Sequence, residues 1–297
     1  MIPGSPQRAE LIQQAVKGRS LWDDARARLL RNKAAVAGMI VLAVMVLLAL
    51  IGPFFTPYSY DAVTKTDVWA PPGTAGHLLG ADSLGRDLLA RLFAGLGVSL
   101  GIGVVATAVS LVIGVAWGAT AGYLGGKVDE VMMRMVDTLY SLPFIFFVIL
   151  LMVTFGKNIF LIFIAIGAVE WLTMARIVRG QTLSLKQKEF IEAARAAGLG
   201  SGAIIARHIV PNLLGPVVVY VTLTIPAIII AESFLSFLGL GVQAPMASLG
   251  TLISNGAKDM EMAPWLLIFP SATMVLTLMA FNFIGDGLRD ALDPKDR

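Results

Sequence analysis

Two carboxylates stand where a charge is costly. Glu170 and Glu232 each interrupt a long apolar stretch, and an ionisable group at membrane depth is a functional candidate by default. For Glu170 the sequence offers Arg134, at the inner end of the preceding apolar run, as a structural partner. Glu232, at the outer end of its own run, suits either the lining of a pathway or outer gate or the support of the segment that follows. Other chemistry is missing. There is no cysteine, and His77 and His208 are the two histidines, so neither a thiolate site nor a His-Glu-x-x-His metal site can form. Gly122-Tyr-Leu-Gly-Gly-Lys127 echoes a phosphate loop but lacks the Gly-x4-Gly-Lys-[Ser/Thr] spacing, and Val128 stands where a magnesium-binding hydroxyl is needed. No serine lies in a Gly-x-Ser-x-Gly elbow. The chain is expected to carry no cofactor, no metal and no catalytic residue.

The elements that hold these groups are set by composition. Of 297 residues 57% are hydrophobic and 14% charged, with a mean hydropathy of +0.78. Soluble domains run near 45–50% apolar and about 25% charged, so a membrane protein is expected, and disorder and a disulfide scaffold are excluded. A net charge of +3 is too small to imply nucleic acid as a partner.

Charge-free runs locate six spans, since hydrocarbon roughly 30 Å thick needs about 20 helical residues. They are Ala34 to about Ile51, Leu92–Gly126, Thr138–Gly156, Asn158–Ala175, Ile209–Ala231 and Met262–Gly285. The polar stretch from Asp129 is expected to continue the third helix into the cytosol. Residues 233–257 are also uncharged, but Gly239, Gly241, Pro245 and Gly250 break them; a loop or re-entrant excursion covered by protein is the expectation there. The expected fold is therefore all-α and polytopic. It comprises a cytosolic arm (1–33), a first span (34–55), an outer segment (56–91), a five-helix core (92–290) with a cytosolic loop (186–212) and an outer loop (233–261), and a tail (291–297).

Lys and Arg set the orientation. With the N-terminus inside, 18 basic residues fall on the cytosolic side and Lys65, Arg86, Arg91, Lys157 and Lys258 outside, which places both termini in the cytosol. The arm does not read as a cleavable signal, because its 33 largely polar residues precede an apolar run longer than an h-region. Leu11, Ile12, Ala15, Val16, Trp22, Ala25 and Leu29 form a stripe opposite Arg19, Arg26 and Arg28. That stripe suits a helix on the inner leaflet or a solvated arm that only sets topology. In the second span, Gly97-xxx-Gly101 and Gly114-xxx-Gly118-xxx-Gly122 predict close helix packing, within this chain or with another subunit.

Val178–Asn212 is the longest internal cytosolic segment. Glu189–Ala197 predicts a short helix stopped by Gly198, a turn follows at Gly200–Gly202, and a second helical turn over Ala203–His208 leads to Pro211. A projecting helix–turn–helix can dock into a groove on a cytosolic partner, or it can be an ordinary solvated loop.

Here the sequence resembles a family. Glu192-Ala193-Ala194-x3-Gly198 followed by Val210-Pro211 looks like the EAA loop of ATP-binding-cassette importer permeases. His208-Ile-Val-Pro-Asn212 is similar to the dipeptide, oligopeptide and nickel branch, in which histidine replaces the more general isoleucine. Leu79–Asp87 resembles the segment ahead of that family's second span, with Ala81 for the usual threonine. Glu232–Gly241 and Asn282–Pro294 resemble its outer-loop and C-terminal motifs, whereas Leu249-Gly250 departs from the family's Trp-Gly. The resemblance covers Leu29–Pro294, and the extra first span and outer segment look like the C-type subunit.

The resemblance implies a type I importer permease fold in the bacterial inner membrane. It implies a B-type permease as heterodimer partner, two P-loop ATPase subunits that carry ATP and magnesium, and an extracytoplasmic substrate-binding protein. It also implies an ATPase-docking surface on Glu189, Glu192, Ala193, Ala194, Ala197 and Gly198, with His208 and Pro211 fixing the exit into the fifth span. Short peptides are the expected cargo, with nickel or another small solute as the alternative. A secondary transporter is a distant alternative, since inverted repeats and central ionisable clusters are not evident. Arg86 and Asp87 are expected to form an outer-surface pair.

Overall fold

A computed structural model describes residues 21–156 and 158–292. It is built of helices, and among the described residues there is no strand beyond two isolated bridges. In chain order the helices are α1 (Leu21–Arg31), α2 (Lys33–Ile51), α3 (Leu88–Leu124), α4 (Gly126–Tyr140), α5 (Phe144–Phe155) and α6 (Ile159–Leu185). There follow α7 (Glu189–Ala196), α8 (Ser201–Ile204), α9 (Val210–Phe237), α10 (Leu249–Lys258) and α11 (Trp265–Leu292). Five helical segments are long and apolar enough to cross a membrane: 33–54, 88–124, 161–185, 201–237 and 265–292. The bent pair α4–α5 makes a sixth.

Side chains at the helix ends explain where the spans begin. Asn32 accepts from the backbone of Ala34 and Ala35 at 3.1 and 3.2 Å and starts α2. Asp87 accepts from Ala90 N at 2.7 Å and starts α3, satisfying one of the amides that a helix N-terminus leaves free. Several helices outrun the charge-free segments. α6 continues to Leu185 and α9 to Phe237, because a charged or polar residue ends the hydrocarbon run without ending the hydrogen-bond ladder.

The third span corrects the sequence expectation. The helix from Asp129 does not run straight into the membrane; α4 and α5 meet at a bend of 80°. Pro143 has no N–H to donate and disfavours helical geometry at Leu142, so the ladder breaks between Tyr140 and Phe144. The prolines within α9, Pro216 and Pro226, are accommodated in a continuous helix.

α3 and α6 form the most extensive helix pair. A Cβ on Gly114 would fall 2.5 Å from Met174 Cβ, one on Gly118 2.9 Å from Arg179 N, and one on Gly122 2.8 Å from Thr182 Cβ. The Gly114-Gly118-Gly122 stripe therefore packs within the chain. Gly97 and Gly101 do not share that role: Gly97 meets only Ala49, at 3.8 Å, and Gly101 has open space.

The N-terminal helix is docked on the bundle. Ala25 is buried, and a Cβ on Gly287 of α11 would lie 3.1 Å from Leu29 Cδ1. The residues of the arm's stripe at Leu11, Ile12, Ala15, Val16 and Arg19 lie outside the described residues. The expected outer loop from 233 begins later, because α9 runs on to Phe237; a turn then leads to the ten-residue α10, whose Leu249 and Leu252 pack with Leu96 of α3 and Ile225 and Ile229 of α9.

Candidate functional site

The cytosolic loop is held by one of the buried clusters. Ile191 (0% exposed) and Ala194 (7% exposed) of α7 pack with Tyr123, Val178, Ile204, Ile209 and Leu213. One face of an eight-residue helix is thereby sealed against the ends of α3 and α6 and the start of α9. Glu189 and Glu192 in its first turn complement the positive helix N-terminus. The helix stops at Gly198, whose φ of +79° is a conformation that glycine adopts without a Cβ clash.

The opposite face is open. Glu189, Glu192, Ala193, Ala197 and Gly198 are exposed. Ala194 corrects the expectation of an outward contact, because it points into the cluster. Its small side chain is required where α7 closes onto the bundle. Phe190, 41% exposed beside these alanines, was missed by the sequence reading; an aromatic among exposed small residues was the available signal.

The exit into α9 has a defined backbone cause. Val210 N donates to Ile205 O, a bond to the fifth residue back, and Ile205–Ile209 form a single π turn. Pro211 cannot donate to Arg207 O, which favours this wider turn at the helix entrance. His208 is half-buried within the turn, and Asn212 Nδ2 donates to His208 O at 2.7 Å.

Long-range polar contacts tie the loop to α3 and α6 to α4. Arg195 of α7 donates through Nε to the Tyr123 hydroxyl at 3.2 Å and lies 5.2 Å from the centre of its ring. Lys186 Nζ stands 5.8 Å from the same ring. Arg179 of α6 makes a forked pair with Asp129 of α4 at 2.6 and 2.7 Å. Arg176 donates to Asp137 at 2.7 Å and covers the Tyr140 ring at 4.1 Å. Basic residues near the end of an apolar helix were visible in the sequence, but their partners, 39 to 72 residues away, were not.

The expected Glu170–Arg134 pair is not formed. Arg134 lies 3.6 Å from Glu130, one helical turn away, with both side chains largely in solvent. α4 packs on α6 through Val136, Met133 and Leu139 beside Trp171 and Leu172, and Arg134 stands on the solvent-exposed side of α4. Glu170 is half-buried and makes no hydrogen bond or ion pair among the described residues.

Glu232 is fully buried and reaches the outer loop. Its Oε1 accepts from Ser236 Oγ at 2.6 Å and Ser248 Oγ at 2.7 Å. Ser248 in turn caps α10 through Thr251 N at 3.0 Å, and Leu249 N donates to Ser99 Oγ of α3 at 2.9 Å. Leu249, at the first position of the family's usual Trp-Gly, is buried.

The expected Arg86–Asp87 pair is also replaced. Arg86 Nε donates to Asp82 at 2.8 Å. Asp87 Oδ1 lies 2.8 Å from Nδ1 of buried His77, whose ring stacks on Tyr58 at 4.4 Å. Neighbouring residues at the start of a helix point in different directions, so each takes the partner its own direction offers.

Residues 110–297 match the family described as binding-protein-dependent transport system inner membrane component. Residues 20–72 match the N-terminal TM domain of oligopeptide transport permease C. The chain is 58% identical over 287 residues to the oligopeptide transport system permease protein OppC of Escherichia coli strain K12, covering 95% of this chain and 94% of the relative. It is 55% identical over 293 residues to the Haemophilus influenzae protein of the same name, covering 98% and 94%. The dipeptide transport system permease protein DppC of Bacillus subtilis is 45% identical over 279 residues, covering 94% and 87%.

Proposed function

Because this chain belongs to the family of binding-protein-dependent transport system inner membrane components, we propose that it is the C-type permease of an importer for short peptides and forms half of the translocation pathway. The observation that carries the reading is the two-sided α7. Its inner face is locked by Ile191 and Ala194 to three spans, and its outer face presents Glu189, Phe190, Glu192 and Ala193.

A helix so placed transmits motion. P-loop ATPase subunits below would grip the exposed face, Glu192 by charge and the alanines by allowing close approach. When ATP draws the two ATPases together, α7 moves with them. The Arg195–Tyr123 and Arg179–Asp129 contacts then carry the displacement into α3, α4 and α6. A B-type permease would supply the other half of the pathway, and an extracytoplasmic binding protein would deliver cargo at the outer side. ATP and magnesium belong to the partner subunits. Coupling requires that ATP and the loaded binding protein favour the same conformational state.

The test is purification of the tagged chain from its native membrane, followed by peptide uptake in ATP-loaded proteoliposomes. The wild type should bring down a second permease and ATPases and should import peptide only with ATP. Glu192→Arg should reach the membrane in normal amount yet lose the ATPases. Full uptake by that variant would overturn the docking role, and uptake without ATP would overturn the importer reading.

A further inference from the structure

We propose that Glu170 is an ammonium-binding residue of the translocation pathway and receives the free N-terminus of a peptide in transit; this rests on the peptide-importer reading above.

Glu170, Thr173 and Gln181 lie on one face of α6, and Tyr220 and Thr224 lie on the facing side of α9. Together they border a groove of ≈ 950 Å³ that Arg289 of α11 reaches at its inner end. Adjoining stripes of both helices are committed to packing, through Met174 and Val178 on α6 and Leu213 and Val217 on α9, and the Tyr220 ring packs on the same cluster. The groove is therefore what these two helices leave open. Glu170 also borders a second cavity of ≈ 450 Å³ under the α4–α5 bend, so its carboxylate stands where the two spaces meet.

Its lack of a partner sets it apart. Asp129 and Asp137 are each held by an arginine, and Glu232 by two serines. Glu170 has neither kind of contact among the described residues. An ionisable side chain kept within a span, facing a cavity and without a protein partner, calls for a cationic ligand.

The groove's length and ends fit a short zwitterion. Eleven helical residues separate Glu170 from Gln181, a rise of about 16 Å, which matches roughly four to five extended peptide residues. The acid lies toward the outer end and Arg289 at the inner end, so the groove has opposite charges at its two ends. A single charged contact per terminus also suits a pathway, where a site must be attractive enough to enter and weak enough to leave.

The test compares a tripeptide carrying a free amino terminus with its N-acetylated form. Equilibrium binding is measured to the purified complex of both permeases and ATPases, without the binding protein. The wild type should prefer the free amine by about tenfold, the scale of one charge-assisted hydrogen bond. Glu170→Gln should bring the ratio close to one, and Glu170→Asp should keep part of it. No preference in the wild type, or an undiminished one in Glu170→Gln, would overturn the assignment. A Glu170→Gln chain that no longer copurifies with the second permease would also overturn it, because the carboxylate would then be a subunit contact. ATP-driven uptake by the wild-type complex keeps the two readings separate. Loss of that uptake removes the peptide reading, whereas intact uptake without amine preference removes only the role of Glu170.

Discussion

The guanidinium of Arg195 rests 5.2 Å from the ring centre of Tyr123 and donates to its hydroxyl at 3.2 Å, joining α7 to the end of α3 across 72 residues of sequence. The contact is short, polar at one point and otherwise face-on. It ties the exposed loop to a 37-residue apolar helix long enough to cross a membrane.

Arg195→Ala removes both the hydrogen bond and a cation–π contact worth about 0.5–1 kcal/mol at an accessible site. That is too little to unfold a bundle whose cluster around Ile191 stays intact. The expected result is normal expression and a lowered number of peptides imported per ATP hydrolysed, read by measuring both rates in the same proteoliposomes.

Phe190 is the large apolar side chain on the open face of α7. Exposed aromatics that become buried at an interface are the residues whose truncation costs most, about 2 kcal/mol or more. Phe190→Ala should weaken ATPase association by at least tenfold, measured by titrating purified ATPase onto the permease pair in detergent. Truncating Ala197 to Gly should change it far less.

Gly118 and Gly101 give opposed outcomes for one substitution. Alanine in a helix is favoured over glycine by roughly 0.5–1 kcal/mol. At Gly101 nothing lies within 4 Å of the new Cβ, so Gly101→Ala should be neutral or slightly stabilising. At Gly118 the Cβ meets the Ala175 carbonyl oxygen, with Arg179 N at 2.9 Å, so Gly118→Ala should part α3 from α6. Thermal midpoints in detergent should fall only for Gly118→Ala.

The Arg179–Asp129 fork should show coupling that an exposed pair does not. Bidentate geometry strengthens the pair, while partial exposure of Arg179 keeps the expected coupling near 1 kcal/mol. A double-mutant cycle with Asp129→Asn and Arg179→Gln, read as thermal inactivation in detergent, should find non-additivity. The Arg134–Glu130 pair, exposed on both sides, should give additive effects.

Ser248→Ala removes the cap of α10 and one of the two donors to Glu232. Losing a cap costs about 1 kcal/mol, and buried Glu232 loses a hydrogen bond as well. The outer loop should loosen while the spans stay folded. Faster amide exchange and proteolysis confined to residues 238–258 would register this, and unchanged protection would refute it.

Much of the fold was legible because its determinants are local. Apolar runs mark α2, α3, α6, α9 and α11 through the cost of placing charge in hydrocarbon. Gly198 ends α7, and the Gly114-Gly118-Gly122 stripe announces a packed face by its four-residue spacing. The break at Pro143 could also have been read from that proline, since the residue before it avoids helix; a charge-free run across the site concealed it.

The sequence by itself determined the apolar helices and the helical loop after α6, since transfer energies and helix periodicity act over a few neighbouring residues. Only the tertiary structure decided that Ala194 faces in and Phe190 out, and that Arg179 takes Asp129. It also decided that Glu232 meets Ser236 and Ser248 while Glu170 borders a groove with no partner among the described residues. Hydrogen bonds and ion pairs act over about 3–4 Å, and which side chains come that close depends on how helices distant in sequence cross one another.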